Sequence, residues 1–600
     1  MKLFILRLVV AFISFSPFLL AQEQEKPINF YEIQKQANDF FKLNHIKKES
    51  DKGEPLPEAG GTAQYKRWEW FWQQRVTPGD GQFPDPMIIY NRTAKYKEDQ
   101  LRRLKKTGES TLTPTASKWK EIGPLKPPQN TGAGRVNRVH INPDFPNTIW
   151  IGTAAGGAWL SLDKGSTWTP KTDGIPSIGV TDIVTTITNP NLIYIATGDG
   201  NAFNTIQSPI SYSVGVMSSN DGGTTWAPTG LNWNTSNARV ISRLLISPAR
   251  PELLLAATNN GIYRTGNAGL TWTMVQSGNF RDMEFMPEDP TTLYASAGNK
   301  IYKSTNEGVS WQALTTGIPT SIFRIALAVT PANPDMVYAL CSFASNGKGG
   351  QGGFYTSNDA GATWTLKSSG YPNIIGSSSD GNDDTQQGWY DLALAVSPSN
   401  SQEIYAGGVS IWKSTNGGTS WSLNAHGYGA AGKPYVHPDI HDIVASEDNS
   451  SEFYAGCDGG IVRTSNKGNT WTDLSNGLGI MQFYRINSPV NDASIVIGGS
   501  QDNGTNRLIN GQGKRVRGGD GMECFFDPQN PTIAYASSQY GSFGRSTDGG
   551  KFLSKSRLSR ESWSSQRCLC MGHATGTRPD QFRGDLCRIC RCMEILSIGE

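Results

Sequence analysis

One short phrase recurs eight times along the chain and governs what it can fold into: a hydroxyl residue, then Asp or Asn two positions on, Gly two further, and Ser/Thr-Trp. It first reads Ser161-Leu-Asp163-Lys-Gly165-Ser-Thr167-Trp168. Equivalent phrases carry Asp221, Asn267, Asn306, Asp359, Asn416 and Asn466, and Ser546-Thr-Asp548-Gly-Gly550 closes the series without its tryptophan. The Ser/Thr hydroxyl and the Asp/Asn oxygen can accept backbone N–H groups inside a turn. Glycine supplies the positive φ that a tight hairpin demands, and the tryptophan brings a large apolar ring to the next strand. Asn replaces Asp in four of the eight phrases, so an acceptor is needed there and a charge is not. Asp163, Asp221, Asp359 and Asp548 are therefore read as structural.

The spacing sets the architecture. Successive tryptophans lie between 39 residues apart (Trp272 to Trp311) and 58 (Trp168 to Trp226), the length of one four-stranded blade with variable loops. Two strand-like runs precede each phrase, as Thr148–Gly152 and Gly157–Leu160 do, and an apolar strand ending near a proline precedes those. The 67 glycines and 17 tryptophans, with only 18% charged residues, suit short strands joined by tight turns. The expected fold is all-β: a β-propeller of four-stranded antiparallel blades. Ser494–Arg517 has the strands without the phrase, which brings the count to about eight to nine modules, as one large ring or one closed ring plus part of a second.

Residues 1–21 read as a signal peptide: Lys2 and Arg7, an apolar run Leu8–Leu20, then Ala21 before polar residues. Residues 22–116 read as an N-terminal extension, partly helical, with the aromatic cluster Arg67-Trp-Glu-Trp-Phe-Trp72 as a sugar platform or, by preference, a buried anchor. Residues 117–550 form the propeller region. Residues 551–600 hold five of the eight cysteines, from Cys568 to Cys592, without strand periodicity, and are read as an anomalous tail without function. The expectation is a secreted or cell-surface protein with no membrane span in the mature chain. A net charge of +2 gives no reason to expect a nucleic-acid partner.

The phrase resembles the Asp-box (BNR) repeats of sialidases, xyloglucanase-type glycoside hydrolases and sortilin-type ectodomains, from about Trp119 to Gly550. Lys66-Arg-Trp-Glu-Trp70, Gly388-Trp-Tyr-Asp391, Gln501-Asp-Asn-Gly504 and Gly518-Gly-Asp-Gly521 resemble secreted bacterial proteins of the sortilin-like or glycosyl-hydrolase-like group. The resemblance implies a propeller and leaves activity open. The Arg-Ile-Pro start of sialidases is absent. Thr153-Ala-Ala-Gly156-Gly157 carries alanine where xyloglucanase-type enzymes place an aspartate.

Outside the repeated phrase, acids gather late in the chain. Asp458, Asp502 and Asp520 each sit at a glycine-rich turn, and with Asp439 of the His437-Pro-Asp439-Ile-His441 run they are the candidate catalytic residues, since a glycosidase needs a carboxylate pair. His437, Asp439 and His441 alternate, so a strand would turn them to one face as a candidate site for a divalent metal; otherwise no cofactor is expected. Counting five residues back from each strand-ending proline singles out Arg138, Thr185, Arg243, Asp282, Ala326, Ala393, Asp442 and Glu523 on the innermost strands. Arg138, Arg243, Asp282, His437, His441, Asp442 and Glu523 are the candidate binding residues. The expected function is binding of a glycan, or of a secreted or cell-surface protein or peptide, at the axial face. The alternative is a glycoside hydrolase using a carboxylate pair from the late-blade loops.

Overall fold

A computed structural model describes residues 29–43, scattered positions in 69–102, and 121–555 apart from 177–178, 201–210, 315–316, 344–349, 386 and 539–541. Residues 1–21, read from sequence as a signal peptide, and nearly all of residues 551–600 lie outside the described residues.

The repeated phrase folds into a closed hydrogen-bonded corner each time. In the first, Ser161 Oγ accepts the Gly165 N–H at 2.8 Å and donates to Asp163 Oδ1 at 2.8 Å, while Asp163 Oδ1 accepts the Thr167 N–H at 2.8 Å. Where Asn stands, the same oxygen does the same work: Asn306 Oδ1 accepts the Ser310 N–H at 3.0 Å. Only the last bond reverses. Thr167 Oγ1 donates to Asp163 Oδ2, whereas Asn306 Nδ2 donates to Ser310 Oγ. A hydroxyl can do either, which is why the two residues interchange.

The described residues form nine sheets, each of four consecutive antiparallel strands, and eight of them carry such a corner. Blade 1 comprises Val136–Asn142, Phe145–Thr153, Ala158–Ser161 and Thr169–Pro170. The innermost strands of blades 2 to 7 are Val180–Thr185, Ile241–Ile246, Asp282–Met286, Ile322–Val329, Ala393–Ser397 and Ile440–Ala445. Each packs against the next, and that of blade 7 returns to pack against that of blade 1. Seven blades therefore close a ring. Blades 8 and 9, which start with Phe483–Asn487 and Gly521–Phe526, pack on each other outside it. Of the two arrangements open from sequence, the structure has one ring plus part of a second.

No strand is exchanged at the closure, so side chains hold it. Val136, Ile149, Ile151 and Trp159 of blade 1 share a core with Tyr454, Ile461, Leu474 and Ile480 from blade 7 and the chain after it. The corner tryptophans reinforce the seams: Trp168 Nε1 donates to Leu474 O, Trp226 to Lys171 O and Trp471 to Asn424 Oδ1, each reaching the preceding blade. The stretch before blade 1 ties blade 8 to the ring. Gln129 N donates to Gly513 O, Gly132 N to Asn503 Oδ1 and Ala133 N to Gly459 O. In the N-terminal extension, the helix Phe30–Leu43 shares a small core with Val76 and Phe83, against which Trp72 packs. Phe83 in turn meets Tyr212 of blade 2 edge-on. Trp72, the described aromatic of the sequence cluster, is partly buried against this small core. No helix among the described residues is long and apolar enough to cross a membrane.

Candidate functional site

Two polar assemblies meet near the ring axis, one inside the channel and one where the ring abuts blade 8. The channel encloses about 430 Å³. At one equivalent position on each inner strand the charge alternates from blade to blade: Arg138, Asp182, Arg243, Asp282, Arg324, then Ala393, then Asp442. Arg138 lies 3.3 Å from Asp182 and 3.0 Å from Asp442. Arg243 pairs with Glu284 at 2.8 Å and stands 3.7 Å from both Asp182 and Asp282. The acids also staple blades together. Asp442, Asp182 and Asp282 each accept a backbone N–H of the following blade's inner strand, from Val139, Leu244 and Leu327, at 2.8 Å.

Arg138, Arg243, Asp282 and Asp442 thus face the axis, but they are engaged with one another and with the backbone. Glu523 does not join them: it belongs to blade 9 and pairs with Arg485 of blade 8 at 3.2 Å. Proline counting fails there because blades 8 and 9 stand outside the ring. It also lands on Thr185 and Ala326 in place of Asp182 and Arg324, because turn lengths differ and these two inner strands carry a bulge near their start. Burial lowers His140, which bonds Thr185 in this channel, to about 4, and raises Glu284 to about 7.

The second assembly gathers the acids from the late turns. One carboxylate oxygen each from Asp439, Asp458 and Asp502 lies within 4.8 Å of the others. Asp439 precedes the inner strand of blade 7, Asp458 follows its second strand, and Asp502 follows the second strand of blade 8. The site therefore exists only where ring and blade 8 meet. Asp439 and Asp502 have φ of +67° and +56°, a left-handed conformation that Asp tolerates better than most residues. Asp520, between blades 8 and 9, accepts the Asp502 N–H at 2.7 Å and fixes that turn.

Asp458 is the buried member. It accepts from His441 Nε2 at 2.7 Å and from the Tyr390 hydroxyl at 2.8 Å. Tyr390 also accepts from Arg135 at 2.8 Å, and Arg135 pairs with Asp199. Burial alone would raise Asp458; His441, Arg135 and Tyr390 outweigh it and bring it down to about 2. Burial lowers His441 while the Asp458 charge opposes that shift, and its Nε2 bonds the Asp458 carboxylate, with Arg135 adding further positive charge. Asp439 and Asp502 keep part of their surface exposed. Both are pushed well above the usual carboxylate range, by desolvation first and then by the Asp458 charge. Gln387 donates to Asp439 at 2.9 Å, and buried Asp391, itself raised by desolvation, faces the same carboxyl.

The metal trio read from sequence is corrected. The blade 7 strand begins only at Ile440, so His437 and Asp439 lie in a loop, and a bulge between Ile440 and Asp442 displaces His441. His437 contacts its own Pro438 carbonyl and His441 is committed to Asp458. The residues spaced to receive a hard divalent cation are Asp439, Asp458 and Asp502. Sequence reading missed Arg135, Asp199, Gln387 and the roles of Tyr390 and Asp391. The phrase Gly388-Trp-Tyr-Asp391 was the one signal that pointed near them.

No protein-family model and no curated protein sequence matches the chain. Solved structures do. A GH74 xyloglucanase from Xanthomonas campestris is 16% identical, with a TM-score of 0.55 over 71% of this chain and 68% of that one. A GH74 enzyme from Niastella koreensis is 17% identical, with a TM-score of 0.52 over 72% and 67%. An ancestral GH74 enzyme is 15% identical, with a TM-score of 0.54 over 72% and 63%. Identities this low establish a shared propeller fold.

Proposed function

We propose that this chain is an exported propeller of the Asp-box type that acts on glycans, with Asp439 and Asp502 as the carboxyl pair that meets a glycosidic bond. One observation carries the reading: three carboxyl groups from two structural units converge, with one held ionised and two held toward the protonated form. Environments that push neighbouring acids apart are how acid and base roles are assigned. Asp502 sits against ionised Asp458 and has the role of proton donor to the leaving oxygen. Both carboxyls are raised, but Asp439 accepts from Gln387, which favours its ionised form relative to that of Asp502, so of the two it is Asp439 that gives up its proton and has the role of the carboxylate. Asp458 is too buried to touch a substrate; it is a positioning residue whose charge raises both others. The separation is nearer the roughly 5–5.5 Å of retaining glycosidases than the 6.5–9.5 Å of inverting ones. That a xyloglucanase shares the fold supports a polysaccharide as the substrate class.

The test is a polysaccharide screen that includes xyloglucan, read by release of reducing ends, with and without a chelator. Asp439→Asn and Asp502→Asn should each lower kcat by about 10²-fold or more. Absence of product from every glycan, with retention of the wild type on an insoluble polysaccharide, would replace hydrolysis by the second reading, a glycan-binding module. Loss of activity on chelation, restored by calcium, would assign the aspartates to a cation instead of to proton transfer.

A further inference from the structure

The axial ring of charges has an arithmetic defect. Seven positions cannot alternate in sign all the way round, and here the odd position is Ala393 on blade 6, between Arg324 and Asp442. Arg138 and Arg243 each lie between two acids. Arg324 makes no ion pair among the described residues, although it is only 8% exposed. Its Nη1 donates to the carbonyls of Gly388, Trp389 and Tyr390, at 3.4, 3.5 and 3.0 Å. Nε and Nη2 donate to nothing among the described residues. That pair of N–H groups is the edge with which guanidinium grips a carboxylate or phosphate through two parallel bonds. Arg281 lines the same space, and burial together with the facing Arg324 charge pulls it down to about 9.

We infer that the channel is a binding site for an oxyanion, seated on the open edge of Arg324 beside Ala393, where the ring lacks its fourth acid. The ligand class is a small molecule bearing a carboxylate, such as a uronic acid, or a free phosphate; both present paired oxygens to the same edge. The site adjoins the aspartate cluster through the Gly388–Tyr390 carbonyls and Asp391, but anion binding there stands whether or not that cluster hydrolyses glycans.

The full chain would be titrated with glucuronate and with inorganic phosphate, against chloride at equal ionic strength, by calorimetry and thermal melting. The melting midpoint should rise with one or both oxyanions. A response to glucuronate alone assigns the site to carboxylates, and one to phosphate alone assigns it to phosphate. Arg324→Gln should weaken binding by at least about tenfold. Ala393→Asp supplies the missing acid, so it should melt higher than wild type without added anion and lose the anion response. A wild type indifferent to both oxyanions, or an Ala393→Asp protein that keeps the full response, would overturn the site.

Discussion

Asp458 and Asp502 lie within reach of each other yet should respond to the same substitution in opposite directions. Asp458→Asn leaves Arg135, His441 and Tyr390 facing a neutral amide in a buried site, a loss expected to cost about 3 kcal/mol. Asp502→Asn removes a carboxyl whose charge is opposed by burial and by Asp458, so the folded protein should gain about 1 kcal/mol at pH 8. The pH dependence has matching signs. The depressed pKa of Asp458 contributes stability above about pH 4 that is lost as pH falls toward 2. The raised pKa values of Asp439 and Asp502 make the fold gain stability as pH drops from alkaline values through their folded range, and Asp502→Asn should flatten that limb. Melting curves from pH 3 to pH 9 check both; equal shifts of the same sign in the two variants would contradict the assignment. At this scale the acids were legible in the sequence but their setting was not. Asp458, Asp502 and Asp520 stood out because glycine-rich turns outside the repeated phrase have no structural need of a carboxylate, and Asp439 because it alternates with His437 and His441. Arg135 and Asp199 carried no local signal, since their pairing spans 64 residues of chain and two blades.

The element that the sequence described best is the hairpin corner, because every bond in it is made within five residues. Ser357 accepts the Gly361 N–H at 2.8 Å and is buried, so Ser357→Ala should cost about 1–2 kcal/mol. Asp359→Asn in the same corner should leave the neutral-pH melting midpoint unchanged, since Thr363 has only to reverse its hydroxyl bond. It should also remove the acid sensitivity of a carboxylate held at about 2 by Thr363 and Ser357. A large loss in Asp359→Asn at neutral pH would show that the charge itself is needed. The strand alternation assumed for His437, Asp439 and His441 failed for a related reason. Where an inner strand starts, and where its bulge falls, is set by contacts with the neighbouring blade, and no local phrase records them.

At the scale of the whole molecule, repeat counting yields modules but not closure. Nine equivalent sheets fit several rings on paper; seven close because the core between blades 7 and 1, with Leu474 beneath Trp168, is complete without a further blade. Blade 8 is then free to lie across the seam, tied through Gly132 and Asn503, and this placement brings a loop of the second unit onto the acids of the first. The candidate site is thus a product of the closure, and its integrity depends on the docking of blade 8. A double-mutant cycle on Asp458→Asn and Asp502→Asn, read as unfolding free energy at pH 8, tests this across the seam without any assumption about substrate. Non-additivity of about 1 kcal/mol or more is the predicted result, because the two carboxyls raise each other's cost. Additivity to within about 0.3–0.5 kcal/mol would mean that they do not share a site, and would contradict the account.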